Sequence, residues 1–224
     1  MKNALIIFAK YPEPGKVKTR LAKTIGNVNA SKLYELFVPL IIKRTKSDNY
    51  QTIVFFDPGE KHEQVKKWLN GEVNLFAQSS GALGERLKTA FAQIFSLGSE
   101  KVVVIGSDSP LLDQAMIDQA FFALDKSDCV IGPSSDGGYY LLGIKKPAPE
   151  LFDLNVWSTN LVFVKTKQKA MKLNYKLSIL DEHFDIDEKE DLLFLNNKLK
   201  SANYSSDGDL NKLRDFISNM LKSS

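Results

Sequence analysis

The chain has 224 residues, a formal net charge of +3 from 30 basic and 27 acidic residues, and one cysteine. So small a basic surplus does not suit a nucleic-acid-binding face, and the lone Cys129 excludes an internal disulfide framework and points to a cytoplasmic setting. With 43% hydrophobic and 25% charged residues the composition is that of an ordinary globular protein, long enough for one large domain without staples.

The first apolar run, Ala4 to Phe8, is too short for a helix and is bounded by turn residues. Lys10-Tyr11-Pro12 follows it with no small-residue cleavage site, so the run reads as a buried strand rather than a signal peptide. No apolar stretch reaches the ~18 residues of a membrane span. Leu33, Leu36, Phe37, Leu40 and Ile41 have helical spacing and predict a helix over 30–46, with Asn29 as its N-cap. A strand is expected over Thr52 to Phe56, ended by Asp57-Pro58-Gly59. A helix over 60–70, a strand near Val73 to Ala77 and an amphipathic helix over 83–96 follow. Val102-Val103-Val104-Ile105 is the clearest buried strand, β-branched throughout. Next come a helix from Asp113 to Leu124 and a strand from Asp128 to Gly132. Gly138 to Ile144 reads as a strand, antiparallel or at an edge. A helix over 159–172, a strand from Lys176 to Leu180 and a helix over 188–199 complete the body. Ser201 to Asp209 is polar and loop-like, and Leu210, Leu213, Phe216, Ile217 and Met220 mark a last helix over 210–221. The expected division is a catalytic domain over 1–200, with a linker and helix over 201–224 packed on it. Strands alternating with helices imply a mostly parallel sheet covered on both faces. Ligands then bind beyond the carboxyl ends of strands, so the loops after Phe8, Ile105 and Gly132 carry the interest.

Four segments there could carry chemistry. Lys10-Tyr11-Pro12-Glu13-Pro14-Gly15-Lys16-Val17-Lys18-Thr19-Arg20 is a stiff basic loop suited to a di- or triphosphate, although it lacks the Walker A spacing. The plainer alternative is a solvated basic loop. Gly106-Ser107-Asp108-Ser109-Pro110 puts a carboxylate where Mg²⁺ can share it with substrate phosphates; the alternative is a capping Asp. Asp136-Gly137-Gly138-Tyr139 lets backbone approach a ligand closely, or simply turns a hairpin. Asp185 and Asp187, two apart in extended chain, share one face and suit a hard cation. Against this, Asp187 with Glu190 has the form of a capping box for the next helix. Leu83-Gly84-Glu85-Arg86 opens a helix whose amides could meet an anion or a base edge, and Trp157 could stack on a sugar or base or belong to the core. His62 and His183 lack metal-type spacing, and Cys129 reads as inert packing.

Six of these segments, in order, resemble a bacterial family of GT-A-fold nucleotide-diphospho-sugar transferases, the arsenosugar-biosynthesis-type glycosyltransferases, related to molybdenum-cofactor and phospholactate guanylyltransferases. They are Phe8-Ala9-Lys10-x-Pro12-x-Pro14-Gly15-x-Val17-Lys18-Thr19-Arg20-Leu21, Leu83-Gly84-Glu85-Arg86-Leu87, Gly106-Ser107-Asp108-Ser109-Pro110, Gly132-Pro133 with Asp136-Gly137-Gly138-Tyr139, Trp157-Ser158, and Asp185-Ile186-Asp187 with Glu190-Asp191. The resemblance implies a GT-A fold and a glycosyltransferase that uses a nucleotide sugar, with a nucleotidyltransferase acting on a small anionic acceptor as the alternative. A non-catalytic nucleotide-binding protein is a third reading. Mg²⁺ or Mn²⁺ would be the cofactor, on Asp108 with Asp185 or Asp187. Lys10, Lys16, Lys18 and Arg20 would line the phosphates. Ser107 and Gly84, Glu85 and Arg86 would lie near the nucleotide, and Asp136, Gly137, Gly138, Tyr139 and Trp157 on the acceptor side. Asp108 and Asp136 are the candidate catalytic residues. The partners implied are a nucleotide sugar or nucleoside triphosphate and a small-molecule acceptor. One departure stands out: Glu13, between the two prolines, brings a negative charge into the phosphate loop.

Overall fold

The structure, a computed structural model, describes residues 2–71, 73–201, 204 and 207–222. Strands β1 (Asn3–Lys10), β2 (Gln51–Asp57), β3 (Asn74–Ala77), β4 (Lys101–Ile105), β5 (Cys129–Pro133), β6 (Tyr139–Ile144) and β7 (Leu177–Ile179) form one sheet in the order β3-β2-β1-β4-β6-β5-β7. All neighbours pair in parallel except β6, which runs antiparallel to both β4 and β5. The central strands are apolar along their whole length because both of their faces are covered. Leu5, Ile7, Val54, Val103 and Val130 face one layer of helices, and Ala4, Ile6, Ile53, Val102 and Ile131 face the other.

Helix α1 (Thr19–Ile25) and helix α2 (Asn27–Arg44) follow β1, α3 (His62–Trp68) follows β2, and α4 (Leu83–Ser96) follows β3. Helix α5 (Gln114–Lys126) lies between β4 and β5, α6 (Val162–Lys172) between β6 and β7, and α7 (Lys189–Leu199) and α8 (Gly208–Lys222) close the chain. α8 lays Leu210, Leu213, Ile217 and Met220 in a third apolar cluster with Leu33, Phe37 and Leu40 of α2 and Leu192 and Leu195 of α7. Lys43–Asp209 and Arg44–Asp207 ion pairs hold its start. Residues 202, 203, 205 and 206 of the expected polar loop lie outside the described residues. Among the described residues no helix is long and apolar enough to cross a membrane.

Several local expectations change. The basic loop does not run on into α2: its end folds into α1, which buries Leu21, Ala22 and Ile25. Gly26, not Asn29, caps α2, because a positive φ of 80° there lets the chain turn between two helices with no intervening loop. Of the two alternatives for β6 the antiparallel one holds and the edge does not: it lies inside the sheet, where its run Tyr140–Ile144 is wholly buried. The capping box of α7 is one residue later than expected: Glu188 is the cap and Asp191 its reciprocal partner. Asp187 is therefore left outside the cap.

Strand order reverses beside β1. The chain builds outward from β1 to β2 and β3, then returns to lay β4 against the other side of β1, with Ile7 opposite Ile105. The loops leaving β1 and β4 must then diverge from neighbouring strand ends, and that divergence opens a crevice.

Candidate active site

A cavity of about 560 Å³ fills this crevice. Its walls come from the loop after β1 (Lys10, Lys16, Val17, Lys18, Thr19, Arg20), the end of β4 (Gly106, Ser107, Asp108), Arg86 of α4, Tyr139 and Tyr140 of β6, and Asp187. Segments far apart in the chain thus meet at one place.

The meeting is electrostatic. Lys18 sits at the N-cap of α1 in the left-handed region (φ 47°), and this turn drives its side chain inward over the Phe37 ring, where it is 2% exposed. A buried ammonium needs anions. Lys18 Nζ pairs with Asp108 Oδ1 and, at 3.3 Å, with Asp187 Oδ1. Arg20 donates to the other Asp187 oxygen and lies 3.7 Å from Glu188; the Asp187 charge is the main cause that raises its guanidinium further. The Ile186 amide also donates to the Asp108 carbonyl (2.9 Å), so the segment before α7 is bound to the end of β4 by backbone as well as by charge.

Asp185 takes a different place. Its carboxylate accepts from Ser109 Oγ and lies outside the cavity wall. Burial, opposed by the Ser109 hydrogen bond and reinforced by Asp108 and Asp136, pushes its carboxyl up to about 6. Asp136 is exposed at the turn between β5 and β6, where its Oδ1 accepts from Gly138 N (2.8 Å) and Ser134 Oγ. Gly137 has φ 87°, and a Cβ there would sit 2.2 Å from the Asn160 carbonyl, so only glycine lets this turn lie against the loop before α6.

Of the sequence candidates, Lys10, Lys16, Lys18, Arg20, Arg86, Ser107, Asp108, Tyr139 and Asp187 line the cavity. Gly84, Glu85, Asp136, Gly137, Gly138, Trp157 and Asp185 do not. Gly84 is buried under Trp157: a Cβ there would meet the indole Nε1 at 2.4 Å. The indole belongs to the packed layer around α4, and its neighbour Ser158 reaches the cavity instead. Glu13 points out of the basic loop to Lys61 at 3.0 Å, so its charge does not enter the cavity.

Two residues beyond the motifs organise the walls. Tyr34 of α2, fully buried, accepts from Lys10 N (2.9 Å) and shares a hydrogen bond with Ser107 Oγ (2.6 Å), tying the end of β1 to the end of β4. It lies seven residues before Ile41 on the apolar stripe, and a tyrosine in such a stripe signals a hydroxyl that needs a partner. Gln78 donates to the carbonyls of Ala9 (3.0 Å) and Phe55 (2.8 Å) and accepts from Arg86 (2.8 Å), so β1, β2 and α4 are stitched at the cavity floor. No motif marks Gln78.

Among the described residues, no three Asp, Glu, His or Cys side chains converge into a ready metal cage. Mg²⁺ or Mn²⁺ does not require one, since one or two carboxylates with phosphate oxygens and water suffice. Asp108 and Asp187 already share a cation and keep 45% and 28% exposure. These hard oxygens suit a divalent ion, with the Lys18 ammonium as its competitor.

Residues 40–159 match the family described as "Uncharacterized protein conserved in bacteria (DUF2064)". A crystal structure from Desulfovibrio desulfuricans G20, provisionally named a nucleotide-diphospho-sugar transferase, is 31% identical, with a TM-score of 0.91 over 99% of this chain and 97% of that one. The expected GT-A fold and kinship are borne out by that match. A 2-phospho-L-lactate guanylyltransferase from Methanocaldococcus vulcanius is 27% identical over 191 residues, 84% of this chain and 82% of that protein. The manganese complex of Rv0371C from Mycobacterium tuberculosis H37Rv shares the fold alone, at 13% identity and a TM-score of 0.52 over 87% of this chain and 97% of that one.

Proposed function

We propose, for a chain that belongs to the DUF2064 family, that this transferase is a metal-dependent glycosyltransferase using a nucleotide-diphospho-sugar donor and a small-molecule acceptor. The likeness to the Desulfovibrio desulfuricans protein favours that donor. The observation that carries the reading is the bridge of Lys18 between Asp108 and Asp187, with Lys10, Lys16 and Arg86 around the same cavity. A diphosphate needs cations along one side and, through a divalent ion, carboxylates along the other.

Asp108 and Asp187, with Asp185 behind them, would hold Mg²⁺ or Mn²⁺. When bound, such an ion neutralises the departing diphosphate as a Lewis acid. Lys10, Lys16 and Arg20 bind phosphate oxygens and stabilise the charge that develops there. Arg86, braced by Gln78, lines the nucleotide side. Asp136, fixed through Oδ1 by Ser134 and Gly138, is the acceptor-side base, with Oδ2 to take the acceptor's proton. The lone buried thiol of Cys129, pushed up to about 12 by burial, takes no part.

The test is incubation with Mn²⁺ or Mg²⁺, nucleotide sugars of each base and several acceptors, reading release of nucleoside diphosphate. Asp108→Asn is expected to lower turnover by about 100-fold or more. No diphosphate release from any donor sinks the reading. A second reading, nucleotidyl transfer to an anionic acceptor, is favoured by the 27% identity to the guanylyltransferase. Pyrophosphate release from a nucleoside triphosphate, with no turnover of nucleotide sugars, would select it.

A further inference from the structure

Lys18 is under more constraint than a phosphate ligand requires. It is a non-glycine residue held at φ 47°, its side chain is 2% exposed, and it contacts two carboxylates from segments 79 residues apart (Asp108 and Asp187). Each partner depends on it in turn. Without the ammonium, two like charges would face each other in a partly buried site. With it, Asp187 has both oxygens engaged, one by Lys18 and one by Arg20.

We propose that Lys18 sets the order in which the site loads: its ammonium excludes a divalent ion from Asp108 and Asp187 until a nucleotide's phosphates arrive to receive it. This rests on the metal–nucleotide reading above and adds a coupling to it. A divalent ion and the ammonium compete for the same oxygens, so the ion cannot engage both carboxylates while Lys18 stays. Lys18 cannot leave for water cheaply, because its side chain is 2% exposed and its ammonium lies over the Phe37 ring, 5.7 Å from the centroid. The cavity wall beside it is basic, with Lys10, Lys16 and Arg20, and the nearby Asp185 stands outside that wall, engaged by Ser109. The phosphates supply one, within reach of the same loop. Metal affinity therefore rises when nucleotide binds, and by linkage nucleotide affinity rises equally when metal binds.

The deciding measurement is water-proton relaxation enhancement by Mn²⁺ in the wild-type protein, which separates Mn²⁺ on slowly tumbling protein from Mn²⁺ on free nucleotide. ADP, CDP, GDP and UDP serve as probes. The expected result is weak enhancement with Mn²⁺ alone and an apparent Mn²⁺ affinity at least tenfold higher (about 1.4 kcal/mol) with one of the diphosphates. In Lys18→Met without nucleotide, Mn²⁺ should bind at least tenfold more tightly than in wild type and should raise the melting temperature of the variant alone. Equal Mn²⁺ affinity in wild type with and without nucleotide overturns the coupling while leaving the metal–nucleotide reading in place. A folded Lys18→Met that gains no Mn²⁺ affinity also overturns it. No enhancement with any probe overturns both. Should Lys18→Met not fold, Lys18→Gln, which keeps a polar head without the charge, takes its place with the same expected gain and the same overturning result.

Discussion

At the scale of single residues, the site is surrounded by side chains whose protonation is displaced in opposite directions. His183, packed edge-on to Tyr140 and tilted against Phe184, is lowered to about 4 by burial and then by Lys198, and its Nε2 has no hydrogen-bond partner among the described residues. Unfolded His183 takes up a proton near 6.5. Its contribution is thus full above that pH and lost as pH falls through 6.5 toward 4. Asp185 runs the other way. Folded, it keeps its proton to about 6, against 3.8 when unfolded, so its contribution is present below 3.8 and lost as pH rises toward 6. In metal-free buffer, His183→Phe should therefore gain on wild type as pH drops from 6.5 to 4, and Asp185→Asn should gain as pH rises from 3.8 to 6. Each gain has a slope of at most about 1.4 kcal/mol per pH unit. Urea unfolding across pH 3.5–7 measures both, and a pH-independent difference in either variant counts against the assigned cause.

At the scale of elements, the start of α7 decides what Asp187 can do. Asp191 Oδ2 accepts from the amides of Glu188 (2.8 Å) and Asp187 (3.0 Å), which leaves the Asp187 carboxylate for Lys18 and Arg20. Breaking the capping box with Asp191→Ala should cost about 1 kcal/mol in urea unfolding. It should also weaken nucleoside diphosphate binding by calorimetry, because Asp187 loses its anchor; unchanged binding would separate the cap from the site. The start of α4 is set by packing instead. The Gly84 Cβ position is filled by the Trp157 indole and lies 2.7 Å from the Phe152 carbonyl. Although alanine is the better helix former, Gly84→Ala should destabilise the protein by about 1–3 kcal/mol through overpacking. A stability equal to or above wild type would show that Trp157 moves aside at little cost.

For the whole molecule, the sheet brings the pieces together and the helices only hold them in place. A ligand that binds this crevice should stabilise the folded state, since only folding brings the β1 loop, the end of β4 and the segment before α7 together. At 100 times its dissociation constant, a nucleotide with Mn²⁺ contributes about 2.7 kcal/mol, which for a chain of this size raises Tm by roughly 5–10 °C. Differential scanning fluorimetry with nucleoside di- and triphosphates and nucleotide sugars reads this directly. On the proposed reading the rise should shrink with added salt, because screening weakens the attraction of phosphates to the exposed Lys10, Lys16 and Arg20. A salt-independent shift would mean that the basic loop is not the phosphate site.

Much of this was legible in order along the chain. The uniform apolar character of Val102–Ile105 marked a strand buried on both faces, and the alternation of elements marked a mostly parallel sheet with its ligand loops at one end. The basic 10–20 segment and Asp108 could be picked out because they directly follow buried strands, at the sheet end where ligands bind, although a solvated loop and a capping Asp stayed open as alternatives. What one-dimensional reading could not supply was partnership across distance. Whether Asp187 caps a helix or faces a cation depended on a one-residue shift of the cap, and that shift follows from Ile186 being fully buried and hydrogen-bonded to the end of β4. Tyr34 and Gln78 carried no motif, because their roles lie in hydrogen bonds to strand ends that only the sheet order makes adjacent. Local sequence determined which residues are charged, apolar or turn-forming; tertiary structure decided which charges meet, because a buried ammonium must find its anions wherever the fold brings them.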